Sequence, residues 1–164
     1  MIRDATVDDL DEIASLIRGL AEYERLAHEV VWTRAQLAES LFGPDAVPRV
    51  LLAEDDIEVV GMALWYRTYS TFLGAAGIWL EDLFVRPHAR GNGHGRALLA
   101  ALRARTPHRV EWSVLDWNTP AQRFYTEIGA APMNEWTTWR WAPNASTTAL
   151  DLDAPGAGRD EEAS

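Results

Sequence analysis

The chain has 164 residues, 48% of them hydrophobic and 24% charged, which is the profile of one ordinary globular domain and not of a disordered or fibrous chain. It contains no cysteine, so thiol nucleophiles, cysteine-based zinc sites and disulfides are excluded together. All 15 basic residues are arginine against 25 acids, giving a net charge of −10 and excluding lysine Schiff bases and the lysine-dependent phosphate loop.

Residues 2–5 suit a short first strand. Thr6-Val7-Asp8-Asp9 then resembles a capping box, and Leu10, Ile13, Leu16, Ile17 and Leu20 recur at the spacing of an amphipathic helix. A second helix opens at Thr33-Arg34-Ala35-Gln36 and stops at Gly43-Pro44. Residues 49–54, an Asp55-Asp56 turn and residues 58–66 are predicted to form a hairpin, and residues 77–85 a third long strand that ends before Pro87. A glycine-rich loop from Arg90 to Arg96 opens the next helix, followed by a strand over 109–115. Asn118-Thr119-Pro120 starts a last helix that ends at Gly129, and residues 135–141 alternate as a final strand. The predicted fold class is mixed α/β (α+β), a partly antiparallel central sheet flanked by helices.

Beyond that strand the chain is rich in small and polar residues, and residues 143–164 hold five acids and one arginine. A domain over 1–142 and a disordered acidic tail over 143–164 are expected, the tail carrying four of the ten net charges. No basic stripe is present, so neither nucleic acid nor an anionic membrane is an expected partner, whereas a small cation is. The N-terminus, Met1-Ile2-Arg3-Asp4, has no secretory pattern, and the longest apolar run, 72–80, is well short of the ~18 residues that cross a bilayer. A cytoplasmic location is expected.

The strongest chemical signal is the loop after Pro87. A strand that enters closely spaced glycines and then a helix start points several backbone N–H groups at one place, where the helix dipole also favours an anion such as phosphate. A dinucleotide fingerprint would need a third glycine where Arg96 stands; Glu111 does sit 20 residues after Gly91, but no opening βαβ unit surrounds the loop.

Arg90-x-x-Gly93-x-Gly95, approached through Val85-Arg86-Pro87, resembles the [Q/R]-x-x-G-x-[G/A] motif of the GNAT superfamily of acetyl-CoA-dependent N-acetyltransferases. The wider pattern is similar to its diamine (spermidine/spermine) acetyltransferase branch: Ala21-Glu22-Tyr23-Glu24, Trp79-Leu80-Glu81-Asp82-Leu83-Phe84-Val85, and Asp116-Trp117-Asn118-Thr119-Pro120 with Phe124-Tyr125 occur in the branch's order and spacing. The resemblance spans residues 2 to 142 and stops at the tail. Leu83 departs from it, standing where the branch often has an aromatic residue.

The resemblance implies acetyl-CoA as co-substrate, no metal, a homodimer and a small cationic amine as acceptor. It gives the pyrophosphate to Arg90, Gly91, Asn92, Gly93, His94, Gly95 and Arg96. The pantetheine arm would run beside Leu83, Phe84 and Val85, with Asn118, Thr119, Pro120 and Ala121 on its other side.

A primary amine with a pKa near ~10.4 must lose a proton before it attacks a thioester. The matched blocks offer Glu81 as base and Tyr125 as the acid that protonates the departing thiolate. Tyr23 and Glu24 match the family's substrate-contacting segment, an aromatic ring and a carboxylate suited to an ammonium group. Asp82 adds charge but would face the other way in a regular strand. With no cysteine to carry an acetyl group, direct transfer in a ternary complex is expected. A peptide N-terminus or an antibiotic amine as acceptor, or a non-catalytic acyl-CoA-binding module, are the alternatives.

Overall fold

The computed structural model describes residues 1–141. In chain order they form β1 (Ile2–Asp4), α1 (Leu10–Tyr23), α2 (Arg34–Phe42), β2 (Arg49–Glu54), β3 (Val59–Ser70), β4 (Ala75–Val85), α3 (His94–Arg103), β5 (Val110–Glu111) and α4 (Thr119–Glu127). The five strands make one sheet in sequential order, antiparallel throughout except for the parallel pair β4 and β5. This is the mixed α/β architecture expected from the sequence.

Both early helices start on their side chains. The Thr6 backbone N–H donates to the Asp9 carboxylate at 2.7 Å, and Thr33 and Gln36 satisfy each other's backbone N–H groups at 2.8 and 3.3 Å. Arg3 on β1 bonds both Asp9 and Glu54 at 2.7 Å, which joins the start of α1 to the end of β2 and holds the Asp9 carboxyl well below the usual carboxylate range.

The sheet divides two apolar layers. Leu10, Ile13 and Leu16 of α1 pack with Leu52, Met62 and Phe84 on one face, while Leu98 and Leu102 of α3 pack with Leu51, Val60, Ile78 and Leu80 on the other. Adjacent Leu51 and Leu52 enter different layers because successive side chains in a strand alternate.

The structure departs from the sequence-based expectation at two strands. Residues 109–115 yield only the two-residue β5, which pairs with β4 at Ile78 and Trp79. The final strand expected over 135–141 does not form: the compact unit runs from Met1 to Gly129, and residues 130–141, taken by themselves, hold a turn closed by Trp136 N–H on Met133 O at 3.4 Å. Trp136, Trp139 and Trp141 in this segment are exposed, not core. Alternation records which side chains could share a face, whereas a strand exists only where another backbone supplies its hydrogen bonds. The acidic tail lies outside the described residues.

Candidate active site

The site begins with a break in the register of β4. Leu64 of β3 pairs with Asp82 but the next residue, Trp65, pairs with Leu80, which leaves Glu81 as an extra residue, a β-bulge. Upstream, Ile78 and Leu80 enter the α3 layer; downstream, Leu83 and Val85 do so, while Phe84 enters the α1 layer. The pleat therefore reverses across Glu81. Trp79 and Glu81 share a face, and Asp82 and Phe84 share the same one, so the two adjacent carboxylates both lie on the α1 side. The regular-strand expectation, which sent Asp82 to the opposite side, is corrected by this extra residue.

Glu81 is held by two donors, Trp79 Nε1 at 2.9 Å and Tyr66 Oη at 3.4 Å, both on its Oε2 oxygen. Among the described residues its Oε1 has no hydrogen-bond partner. Asp82 is buried more deeply, and desolvation first, then the charges of Glu81 and Glu24, pushes its carboxyl up to about 6.

Glu24 reaches this place through the end of α1. Leu26 N–H bonds Ala21 O at 2.8 Å and Arg25 N–H bonds Glu22 O at 3.1 Å, a Schellman closure in which Arg25 takes the left-handed position at φ 64°. Glycine usually fills that position. The closure fixes Tyr23 and Glu24 at the helix end, and burial raises the Glu24 carboxyl.

Tyr23 is also tied to α4. Its hydroxyl donates to Asn118 Oδ1 at 3.0 Å, and the same oxygen caps α4 by accepting Ala121 N–H at 3.3 Å. Asn118 is 6% exposed, so one buried amide joins two helices whose hydrogen-bonded residues lie 95 positions apart. Two turns further along α4, Tyr125 packs against Trp112 with ring centroids 4.8 Å apart. Burial first, then Glu24 and Tyr23, pushes the Tyr125 phenol up to about 12. It therefore holds its proton at neutral pH.

Next to these groups lies the glycine loop. Gly91 and Gly93 have φ of 84° and 83°, and no heavy atom stands within 4 Å of where a Cβ would be. The sign of φ calls for glycine, and the open space leaves the backbone accessible to a ligand. Gly93 caps α3, whose first helical bond runs from Ala97 N–H to Gly93 O, so the N–H groups of His94, Gly95 and Arg96 have no acceptor inside the helix. No acid sits in that first turn. The cradle suits an anion.

The described chain holds no group of acids and histidines that could bind a metal. Past Trp79, β4 has β3 on one side and no ladder partner among the described residues on the other, which leaves the flank of Leu83, Phe84 and Val85 open.

Comparison with known proteins adds the decisive observation. The model of the acetyltransferase (GNAT) family matches residues 14–130. The chain belongs to the GNAT family. It is 34% identical over 151 residues to a thialysine N-epsilon-acetyltransferase of Bos taurus, covering 85% of this chain and 88% of that one. It is 31% identical to an L-ornithine N5-acetyltransferase of Arabidopsis thaliana, covering 88% and 85%. Among solved structures, an integron cassette protein from the V. cholerae mobile metagenome superposes with a TM-score of 0.73 at 25% identity, over 88% of this chain and 93% of that one. The resemblance drawn from the motifs therefore holds, and this GNAT protein is an N-acetyltransferase.

Within the GNAT fold, the residues singled out in the sequence fall into two adjoining groups. Tyr23, Glu24, Glu81, Asp82 and Tyr125 are linked by hydrogen bonds or by mutual charge effects. Gly91 to Arg96 line the cradle, and Thr119, Pro120 and Ala121 form the first turn of α4. The Arg90 side chain is held by β4 and α1: its Nε donates to Val85 O at 2.9 Å, and its guanidinium lies 4.8 Å from the Tyr23 ring and 5.6 Å from that of Phe84. Sequence reasoning missed Trp79 and Tyr66 as the donors to Glu81. The Trp79-x-Glu81 spacing, two residues along a strand, was the available signal.

Gly93→Val is expected to weaken acetyl-CoA binding by at least tenfold in calorimetry, because it places a β-branched residue at positive φ and a side chain in the cradle.

Proposed function

We propose that this enzyme transfers the acetyl group of acetyl-CoA to the terminal primary amine of a small cationic metabolite, a polyamine or a lysine-like amino acid. The observation that carries this reading is the convergence of Glu24, Glu81, Asp82 and Tyr125 beside the open flank of β4. The named activities of two relatives, on ornithine and thialysine, support an amino-acid acceptor with a primary amine on its side chain.

The cradle at Gly91 and Gly93, whose N–H groups have no acceptor inside the helix and which has no acid in the first turn of α3, fits a pyrophosphate. Residues Arg90 to Arg96 would hold it, Leu83, Phe84 and Val85 would border the pantetheine arm, and Asn118 to Ala121 would close the other side. When bound, acetyl-CoA supplies an acetyl thioester.

This chain's residues then handle the protons. Asp82, Glu24 and the Tyr23 ring hold the substrate ammonium, and Glu81, through its Oε1 or a water, takes the proton that blocks the nitrogen lone pair. As the N–C bond forms and the C–S bond breaks, the Tyr125 hydroxyl gives its proton to the departing sulfur. The nitrogen loses its second proton to solvent and the proton taken by Glu81 restores the Tyr125 phenol through solvent, so each turnover releases one thiol, one amide and one proton. The substrate cation offsets the negative field of Glu24, which lowers the Tyr125 phenol toward the range useful to an acid.

A thiol-release assay over basic amino acids, polyamines, peptide N-termini and aminoglycosides tests the proposal. Turnover is expected with the first two groups. Absence of acetyl-CoA binding in calorimetry, or turnover only with the last two, would overturn it.

A further inference from the structure

The carboxylates of the site have one cationic neighbour that the reaction does not use. Arg25 follows Glu24 directly and is held at φ 64°, a conformation an arginine adopts only against steric cost. Its guanidinium lies 5.6 Å from the centroid of Trp117, and Trp117 in turn lies 6.1 Å from Tyr23, the ring at the amine site. Strain in the backbone and an indole under the side chain fix this cation at the rim.

Arg25 is also unpaired. Arg3, Arg34, Arg86, Arg105 and Arg109 each lie within 4 Å of a carboxylate; Arg25, exposed and next to Glu24 in the chain, has no such partner among the described residues, as is true of eight other arginines that the sequence does not set beside a site carboxylate. Arg90, the other arginine at this end of α1, already donates to Val85 O and covers the Tyr23 ring. The site is thus bipolar, with Glu24, Glu81 and Asp82 inside and, at its edge, the Arg25 guanidinium with no carboxylate partner among the described residues.

A diamine brings a positive charge at each end, and its second ammonium would meet that guanidinium. A basic amino acid brings an ammonium at one end and a carboxylate at the other, and a guanidinium fork matches a carboxylate with two parallel hydrogen bonds. We propose that Arg25 is a specificity-determining residue that pairs with the α-carboxylate of a basic amino-acid substrate and selects it over the corresponding diamine. This rests on the function proposed above and narrows it to one of its two acceptor classes.

L-ornithine and 1,4-diaminobutane differ only by that carboxylate, so kcat/KM for the two substrates isolates it. The wild type is expected to favour ornithine by at least tenfold. Arg25→Gln and Arg25→Gly are expected to lose at least tenfold on ornithine, through KM with kcat within about twofold, and nothing on the diamine; Arg25→Lys keeps part of the preference. Arg25→Gly also relieves the left-handed strain, so it should melt no lower than the wild type, which separates lost recognition from lost folding. Equilibrium binding of ornithine to the CoA complex should fall in parallel. A wild type that favours the diamine, or an Arg25→Gln variant that loses both substrates equally, overturns the assignment. If the wild type acetylates neither these nor any other small amine, the parent proposal fails and this one with it.

Discussion

Tyr125→Phe is expected to lower kcat by about 100-fold to 1,000-fold, the usual weight of a positioned acid, while changing acetyl-CoA affinity by less than about threefold. The phenol packs its ring against Trp112 and Phe124, and phenylalanine keeps those contacts. Only the hydroxyl is lost. Steady-state kinetics with calorimetry on the same preparations check both halves, and equal losses in kcat and affinity would mean that Tyr125 serves packing instead. The identity of the leaving group offers a second check: an acyl donor with a more acidic thiol needs less help from an acid and should suffer less from the substitution.

Asp82→Asn should separate stability from function. Burial and the charges of Glu81 and Glu24 hold the Asp82 carboxyl at about 6, above its unfolded value of 3.8. A folded-state pKa that is raised favours folding only while the group is protonated, so that contribution is complete below pH ~4 and is lost as pH rises through about 6. At pH 7.5 the ionised carboxylate opposes folding, and a shift of about two units corresponds to roughly 3 kcal/mol. The asparagine variant should therefore be more stable than the wild type by up to about 3 kcal/mol at pH 7.5, with the difference vanishing near pH 4. Urea unfolding at the two pH values measures it. Amine kcat/KM should fall in the same variant, since one of the charges that hold the ammonium is gone. A variant with unchanged stability at pH 7.5 would mean that solvent reaches Asp82 freely.

Much of the fold was legible in the sequence because its signals are local. The Thr33 and Gln36 capping pair, the apolar spacing from Leu10 to Leu20 and the glycines before α3 each act within a few residues, and each forms what it predicts. The site was legible to the extent that it resembled a family: Tyr23, Glu81 and Tyr125 are far apart in the chain, and no periodicity joins them. What stayed hidden was set by pairing between distant segments. The bond from Tyr23 to Asn118 depends on how α1 and α4 meet, the shared face of Glu81 and Asp82 depends on the register of β3, and β5 pairs with β4 only at Ile78 and Trp79, ahead of the bulge at Glu81. The tryptophans of 136–141 alternate like a strand, yet no composition rule supplies the partner a strand requires.

The extra residue in β4 makes chain length itself a functional quantity. Substituting Glu81 removes one carboxylate and leaves the strand's geometry in place. Deleting it would make Leu80 and Asp82 neighbours opposite the neighbours Trp65 and Leu64, so the ladder would close without a bulge, with Phe84 still on the α1 side and Leu83 and Val85 still on the α3 side. The extra residue is therefore what sets two neighbouring carboxylates on one face, and a related chain one residue shorter at this point would keep the same core and present a single acid there.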